Sequence, residues 1–362
     1  MTLRIFEGFD FMTAGLSATE RARRYAAKGY YNWNNGIDVA TGRFAFGKAM
    51  WQPLQLVGGG LYGSKVPIKA AVDDGYAGVA VYVGSGVTNQ IGGILVFHDG
   101  LTDAPQITVL FYQNGIIQVW RGWPPSGAML TQTAVAIYQE NQWFYGEARC
   151  KVDSTSGIVE VRVNTKTVIR IPAANTKATA NPTYDMIGVG YYNWSVAQWA
   201  SYGFDDLYFC DTAGTENNSF LGNSRVMTQF VTGNSTPQDF LIGGSAPAAT
   251  AWQSVLNTGL DSTKYIHSGT PGDESLFTIE AIINAPMVFG IRVSSAVWQD
   301  DATQRTYRNL YKSGATLTEG SDQLTNQTPT FYGDIVEINP ATGVGYTGGE
   351  LNALLIGGKE QA

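Results

Sequence analysis

Residues 202–211 read YGFDDLYFCD, and the reading of the whole chain turns on them. Leu207 and Phe209 alternate with Asp206, Tyr208 and Cys210, the period of a strand with two unlike faces. Upstream lies a long series of apolar runs broken by Gly-rich turns. Downstream comes TAGTENNS (212–219), polar and without apolar period, and then a second series of strands. Segment 202–211 is therefore expected to close a first domain (1–211), with 212–219 as linker and 220–362 as a second domain. The opening IFEGFDFM (5–12) has a similar Phe/Asp texture and is expected to pair with 202–211. Both ends of the first domain would then lie side by side in one sheet.

The strands between are marked by alternation and by turn chemistry. Along 144–152, Phe144, Gly146, Ala148, Cys150 and Val152 take one face, while Tyr145, Glu147, Arg149 and Lys151 take the other. Asn114-Gly115 between two apolar runs predicts a hairpin. Further turns fall at 153–157 and 164–166. Ser17 to Glu20 forms a capping box with Leu16 as its staple, opening a helix that Gly29 ends. In the second domain strands are expected at 225–232, 275–282, 287–297, 305–312 and 331–338. A second capping box, Thr347 to Glu350, opens a helix through Leu355. The expected fold class is all-β: two antiparallel β-sandwich (jelly-roll) domains in tandem, with short helices near the N- and C-termini.

Composition narrows the function. The chain has 362 residues, enough for two domains, and 44% hydrophobic residues, enough for real cores. Only 15% are charged and the net charge is −7, so no basic stripe exists to track a phosphate backbone and no nucleic-acid partner is expected. No apolar run reaches the roughly 20 residues of a membrane helix, and the start lacks a signal-peptide pattern. No membrane insertion is expected. Cys150 and Cys210 form no motif and are expected to be reduced thiols.

Two histidines, His98 and His267, fall in different domains, which defeats a His-based triad and a His-rich metal site. A sandwich glycanase needs two carboxylates flanking the bond. Glu147 and Glu160 instead sit on outward faces beside Arg149 and Arg162, which reads as cross-strand charge pairing. The pairs Asp73-Asp74, Asp205-Asp206 and Asp300-Asp301 lack calcium-loop spacing and read as turn or structural acids. No catalytic residue, cofactor or metal ligand is expected. The aromatics remain. GYYNW occurs twice, at 29–33 and 190–194, each with aromatics set to face opposite sides. Trp33, Trp120, Trp123, Trp194 and Trp199 are the candidate glycan or partner contacts, because aromatic faces stack on sugars and anchor interfaces. The run 120–125, WRGWPP, is the expected exposed patch.

Three segments carry a resemblance: EGFDFM (7–12), the stretch from Trp143 through VEVRVNTKTVIRI (159–171), and FDDLYFCD (204–211). On these the first domain resembles the concanavalin-like, laminin-G-type jelly-roll superfamily. The order of pieces in the whole chain resembles a family of tailed-bacteriophage virion proteins. These pieces are the closing DD-x-Y strand, the DTAG linker (211–214), FLGNSRV (220–226), NPATG (339–343) and the terminal helix. The resemblance implies a virion surface protein of tail fibre, tail tip or head decoration, made in the host cytoplasm and carried on the particle. Expected partners are other virion proteins, further copies of the chain with a trimer favoured by ring closure, and a host surface glycan. The alternatives to this reading are a carbohydrate-binding, lectin-like module and, behind it, a glycan depolymerase.

Overall fold

The computed structural model describes residues 2–361 apart from 11–15, 33–37, 45–47, 56–59, 85–90, 113, 194–198, 256–262 and 283–286. The protein is all-β, built as antiparallel sandwiches, as the alternation implied. Its contacts divide it into two compact units: Met1–Ala26 with Tyr30–Met227, and Thr228–Ala362 with Ala27–Gly29.

The first unit is two facing sheets. The eight-stranded sheet runs Lys166–Ala174, Gly157–Val163, Trp143–Lys151, Asp74–Val83, Trp199–Asp211, Lys48–Gln55, Asp38–Thr41, with Leu3–Glu7 also on Trp199–Asp211. The seven-stranded sheet runs Ala128–Gln132, Ile117–Arg121, Ala104–Tyr112, Ile91–Asp99, Tyr184–Asn193, Gly60–Val72, Tyr31–Asn32. The strand containing 202–211 holds the place its pattern assigned, with the amino-terminal strand beside it: Ile5 opposes Phe209 and Glu7 opposes Leu207. Between the sheets lies one continuous core. Val79, Val81, Ala148, Cys150, Val159, Val161, Phe204 and Phe209 from one side meet Leu95, Phe97, Val109, Phe111, Val119 and Val189 from the other. The lack of a side chain at Gly146 admits Phe111, because a Cβ there would come 2.8 Å from its ring. Both cysteines are buried, and neither is in a disulfide.

Local signals hold where they were strongest. Helix Ala18–Ala27 starts with the Glu20 amide on Ser17 Oγ (3.2 Å), Leu16 packs on the core, and Gly29 at φ +72 ends it. At 153–157 the Asp153 carboxylate accepts the Thr155 and Ser156 amides, both at 2.7 Å.

The second unit has a six-stranded sheet, Val231–Gln238, Glu274–Ile279, Leu355–Gln361, Thr306–Ser313, Thr316–Glu319, with Gln323–Leu324 on Thr306–Ser313. A two-stranded sheet, Ile291–Val297 with Thr330–Val336, and a hairpin of Leu241–Gly243 with Tyr265–His267 complete it. Three expectations are corrected. Residues 225–230 are not strand; the strand begins at Val231. The capped helix is only Gly348–Asn352. Leu355 instead opens a central strand whose two glycines obscured it, since a Cβ on Gly357 would strike Ser275 O and one on Gly358 the Tyr307 ring.

Candidate functional site: the outer faces of the first unit

Strand register fixes what the seven-stranded sheet shows away from the core. One rung crosses every strand: Tyr31, Lys65, Gly188, Val96, Thr108, Trp120, Met129. The next carries Gly190, Ile94, Leu110, Gln118 and Gln132. The centre of this face is closed. Ile94, Val96 and Leu110 are fully buried, with Tyr112 and Trp123 packed against them. The rims are open, with Tyr31 54% and Met129 47% exposed.

Trp120 and Trp123, three residues apart, do different things. After Trp120 the chain turns at Gly122 (φ +82), whose carbonyl accepts the Thr108 hydroxyl at 3.0 Å. That folds Trp123 back onto the sheet, with its ring centroid 6.1 Å from that of His98. Trp123 is a half-buried cover and Pro124 is buried, so the run 120–125 is not the exposed patch its prolines suggested; the turn at Gly122 folds it onto the sheet. Trp120 stays on the rim, half-buried, and its ring is held: Nε1 donates to Gln118 Oε1 at 2.8 Å, and Gln118 Nε2 donates to Gln132 Oε1 at 2.8 Å. An indole of fixed orientation beside two amides on the sheet margin offers a stacking face and amide hydrogen bonds together. Sequence reading found the tryptophan but not the amides. Their signal was the alternation of Gln118 with Trp120; the approach of Gln132 comes only from the strand pairing.

The remaining candidates are placed as follows. Trp33 and Trp194 lie outside the described residues. Trp199 begins strand Trp199–Asp211, opposite Gln55, and its side chain is not described. In the first GYYNW repeat the two tyrosines do face opposite sides: Tyr30 is buried with its hydroxyl on Glu7, and Tyr31 is exposed. His98 is buried beside Lys65 and Asp103. Burial, then the Lys65 charge, pull its pKa down to about 4, so near neutrality it is an uncharged ring.

A strip of the eight-stranded sheet's outer face is covered by its own chain. Residues 219–226, expected to end a linker and start a domain, lie across it. Phe220 meets Tyr76 edge-on at 4.8 Å with Arg162 over its ring at 3.9 Å. The Leu221 amide donates to the Tyr208 hydroxyl (3.1 Å), the Gly222 amide to Glu147 Oε1 (2.8 Å), and the Val226 amide to Asp206 Oδ1 (2.8 Å). Glu147 thus corrects the charge-pair reading. It is buried, takes the Tyr208 hydroxyl and the Gly222 amide, and is pushed above the usual carboxylate range by burial. Its neighbours pair elsewhere, Arg149 with Asp74 (2.7 Å) and Arg162 with Glu160 (2.8 Å). The Asp205-Asp206 pair sits at a bulge, with Asp206 at φ +52 and its carbonyl accepting the Tyr145 hydroxyl at 2.8 Å. Among the described residues no three His, Cys, Asp or Glu side chains gather as metal ligands would.

The fold and rim define an all-β protein with a jelly-roll sandwich as its first unit and an aromatic-amide strip on one sheet margin. No protein-family model matches the sequence, and no curated protein sequence does either. Among solved structures the chain is similar to a carbohydrate-binding module, CBM66, from Bacillus subtilis. Identity is 10%, covering 51% of this chain and 96% of that one, with a TM-score of 0.35. It is also similar to the alginate lyase Aly36B (13% identity, 57% and 96% covered, TM-score 0.37) and to the cellulose induced protein Cip1 (13%, 51% and 88%, 0.37). TM-scores of this size match no residue to a role.

Proposed function

We propose that this chain is a glycan-binding surface protein of a virion, and that the margin of the seven-stranded sheet is where the first unit holds sugar. The observation that carries the glycan reading is the Trp120 indole locked by the Gln118–Gln132 amide ladder at an open sheet edge. The apolar face of a sugar ring stacks on indole, and its hydroxyl pairs match amide donors and acceptors. The setting on a particle rests on the sequence resemblance.

Binding without cleavage is the better-supported form of this reading. Glycoside hydrolysis needs two carboxyl groups facing one bond. Here Glu147 and Asp206 are buried and bonded to the Gly222 and Val226 amides, Asp205 is buried on the Arg43 and Asp206 amides, and Glu160 is held by Arg162 and Thr167. A glycan array with the intact protein is expected to give hits that Trp120→Ala weakens at least about tenfold, the scale of losing one buried aromatic contact. Gln118→Ala should weaken them less. Hits indifferent to both changes would remove the rim as the site. Mass spectrometry of purified particles tests the setting, and particles lacking the chain would refute it.

A further inference from the structure

The second unit holds a cavity of about 580 Å3, within the roughly 300–1,000 Å3 range of small-molecule sites. One wall is an aromatic corner. Tyr265 and Trp298 meet edge to face, ring centroids 5.5 Å apart and planes at 75°, and His267 meets Tyr265 at 5.9 Å. Another wall is ionic but already balanced. Arg305 pairs with Glu360 at 2.9 Å and with Asp301 at 3.3 Å. Small hydroxyls complete it: Tyr307 donates to Ser295 Oγ at 2.8 Å, and Thr325 to Gln299 Oε1 at 2.7 Å.

We infer that this cavity is a second ligand site and that it takes a short neutral oligosaccharide. Each wall narrows the class. The perpendicular rings form a corner and not a parallel slot, so a flat aromatic base gains one face at most, whereas a puckered ring presents C–H groups to one face and an edge. A wholly apolar ligand would strip water from the hydrogen-bonding capacity that Arg305, Glu360 and Asp301 keep beyond their mutual ion pairs, which is costly. An acidic ligand meets a guanidinium already neutralised by two carboxylates, with Asp300 also in the lining. A polyhydroxylated neutral molecule satisfies all three walls, because carboxylates accept from, and the guanidinium donates to, adjacent hydroxyls. The inference stands apart from the Trp120 rim, since the residues belong to the other unit and either site can fail alone.

The test uses the full chain with maltotriose and cellotriose as neutral probes and trigalacturonate as an acidic one. Calorimetry is expected to detect a neutral trisaccharide, with binding weakened at least about tenfold by Trp298→Ala. Trp120→Ala reports the rim separately. Because Trp298→Ala could unfold the unit, hydroxyl-radical footprinting of the unmutated protein supplies a readout free of substitution. Saturating probe should protect Tyr265 and Trp298. No binding by either neutral probe, binding without protection at those residues, or a preference for trigalacturonate would each overturn the inference.

Discussion

In the first unit one continuous apolar core lies between two large sheets, and a strip of the eight-stranded sheet's outer face is buried again under residues 219–226. In the second, two small clusters of buried apolar residues stand out among the described residues. One is around Val293, Tyr311 and Leu351, the other around Val231, Ala251 and Phe277. The ligand-sized cavity touches both, through Val293 and Phe277. The first unit's continuous core fills the described space between its sheets, and its candidate surface is the margin of the seven-stranded sheet. A unit whose core is divided keeps interior space for a ligand, and holds fewer dispersion contacts per residue in exchange.

Truncating one buried phenylalanine in each unit puts that contrast at risk. Phe209 is fully buried, edge-on to Tyr184 at 5.9 Å, and its ring fills the space a Cβ on Gly75 would need. Phe209→Ala should lower stability by about 3–5 kcal/mol in urea titrations. Phe277 is also buried, yet it already borders the cavity. Phe277→Ala enlarges an existing space and should cost clearly less than its counterpart. Equal losses would mean that the second core is as tightly filled as the first.

What could be read from sequence tracks how local its cause is. The strand Trp143–Lys151, the Asn114-Gly115 hairpin, the Ser17 cap and the Thr347–Glu350 capping box depend on neighbours within a few residues, and each is where its pattern placed it. The Glu20 half of the first box is absent, its carboxylate taken by Arg23 and Arg24. The role of 219–226 depends on Tyr208, Glu147 and Asp206, some of them distant in sequence, so Phe220 reads locally as the start of a second domain. The strand Leu355–Gln361 was hidden because its glycines serve close packing and not a turn. At the rim the tryptophan was legible as an outward aromatic. Its partner amide Gln132 lies on the next strand, and only the register places it there.

The covering segment itself invites a smaller test. Phe220 is held by the Tyr76 edge and the Arg162 guanidinium. Phe220→Ala should cost about 1–2 kcal/mol from the lost aromatic and cation–π contacts. Amide exchange at Gly222 and Val226 should speed up by roughly the tenfold that such a loss implies if the segment opens locally. If those amides exchange at the global unfolding rate in both proteins, the segment is an integral part of the first unit's cooperative fold.

The subtlest consequence is electrostatic. Burial, and then the neighbouring Asp206 charge, push the Asp205 carboxyl up, against the Arg43 and Asp206 amides that donate to it at 2.8 Å each. Burial pushes Asp206 up as well, against the Val226 amide and the Arg43 guanidinium. A carboxyl with a raised folded-state pKa holds its proton where the unfolded chain, at about 3.9, has released it. Its contribution to stability is therefore full below about pH 4 and drains as pH climbs through the folded values, by at most about 1.4 kcal/mol per pH unit for each carboxyl. Asp205→Asn removes that charge and keeps one acceptor for the two amide donors, so its cost in hydrogen bonding is the same at every pH. The stability of the unmodified protein minus that of Asp205→Asn should fall steadily from pH 5 to pH 8 in parallel thermal melts. A difference that stays level over that range would mean the pair ionises as it does in water, and that 219–226 does not seal the sheet as tightly as its hydrogen bonds imply.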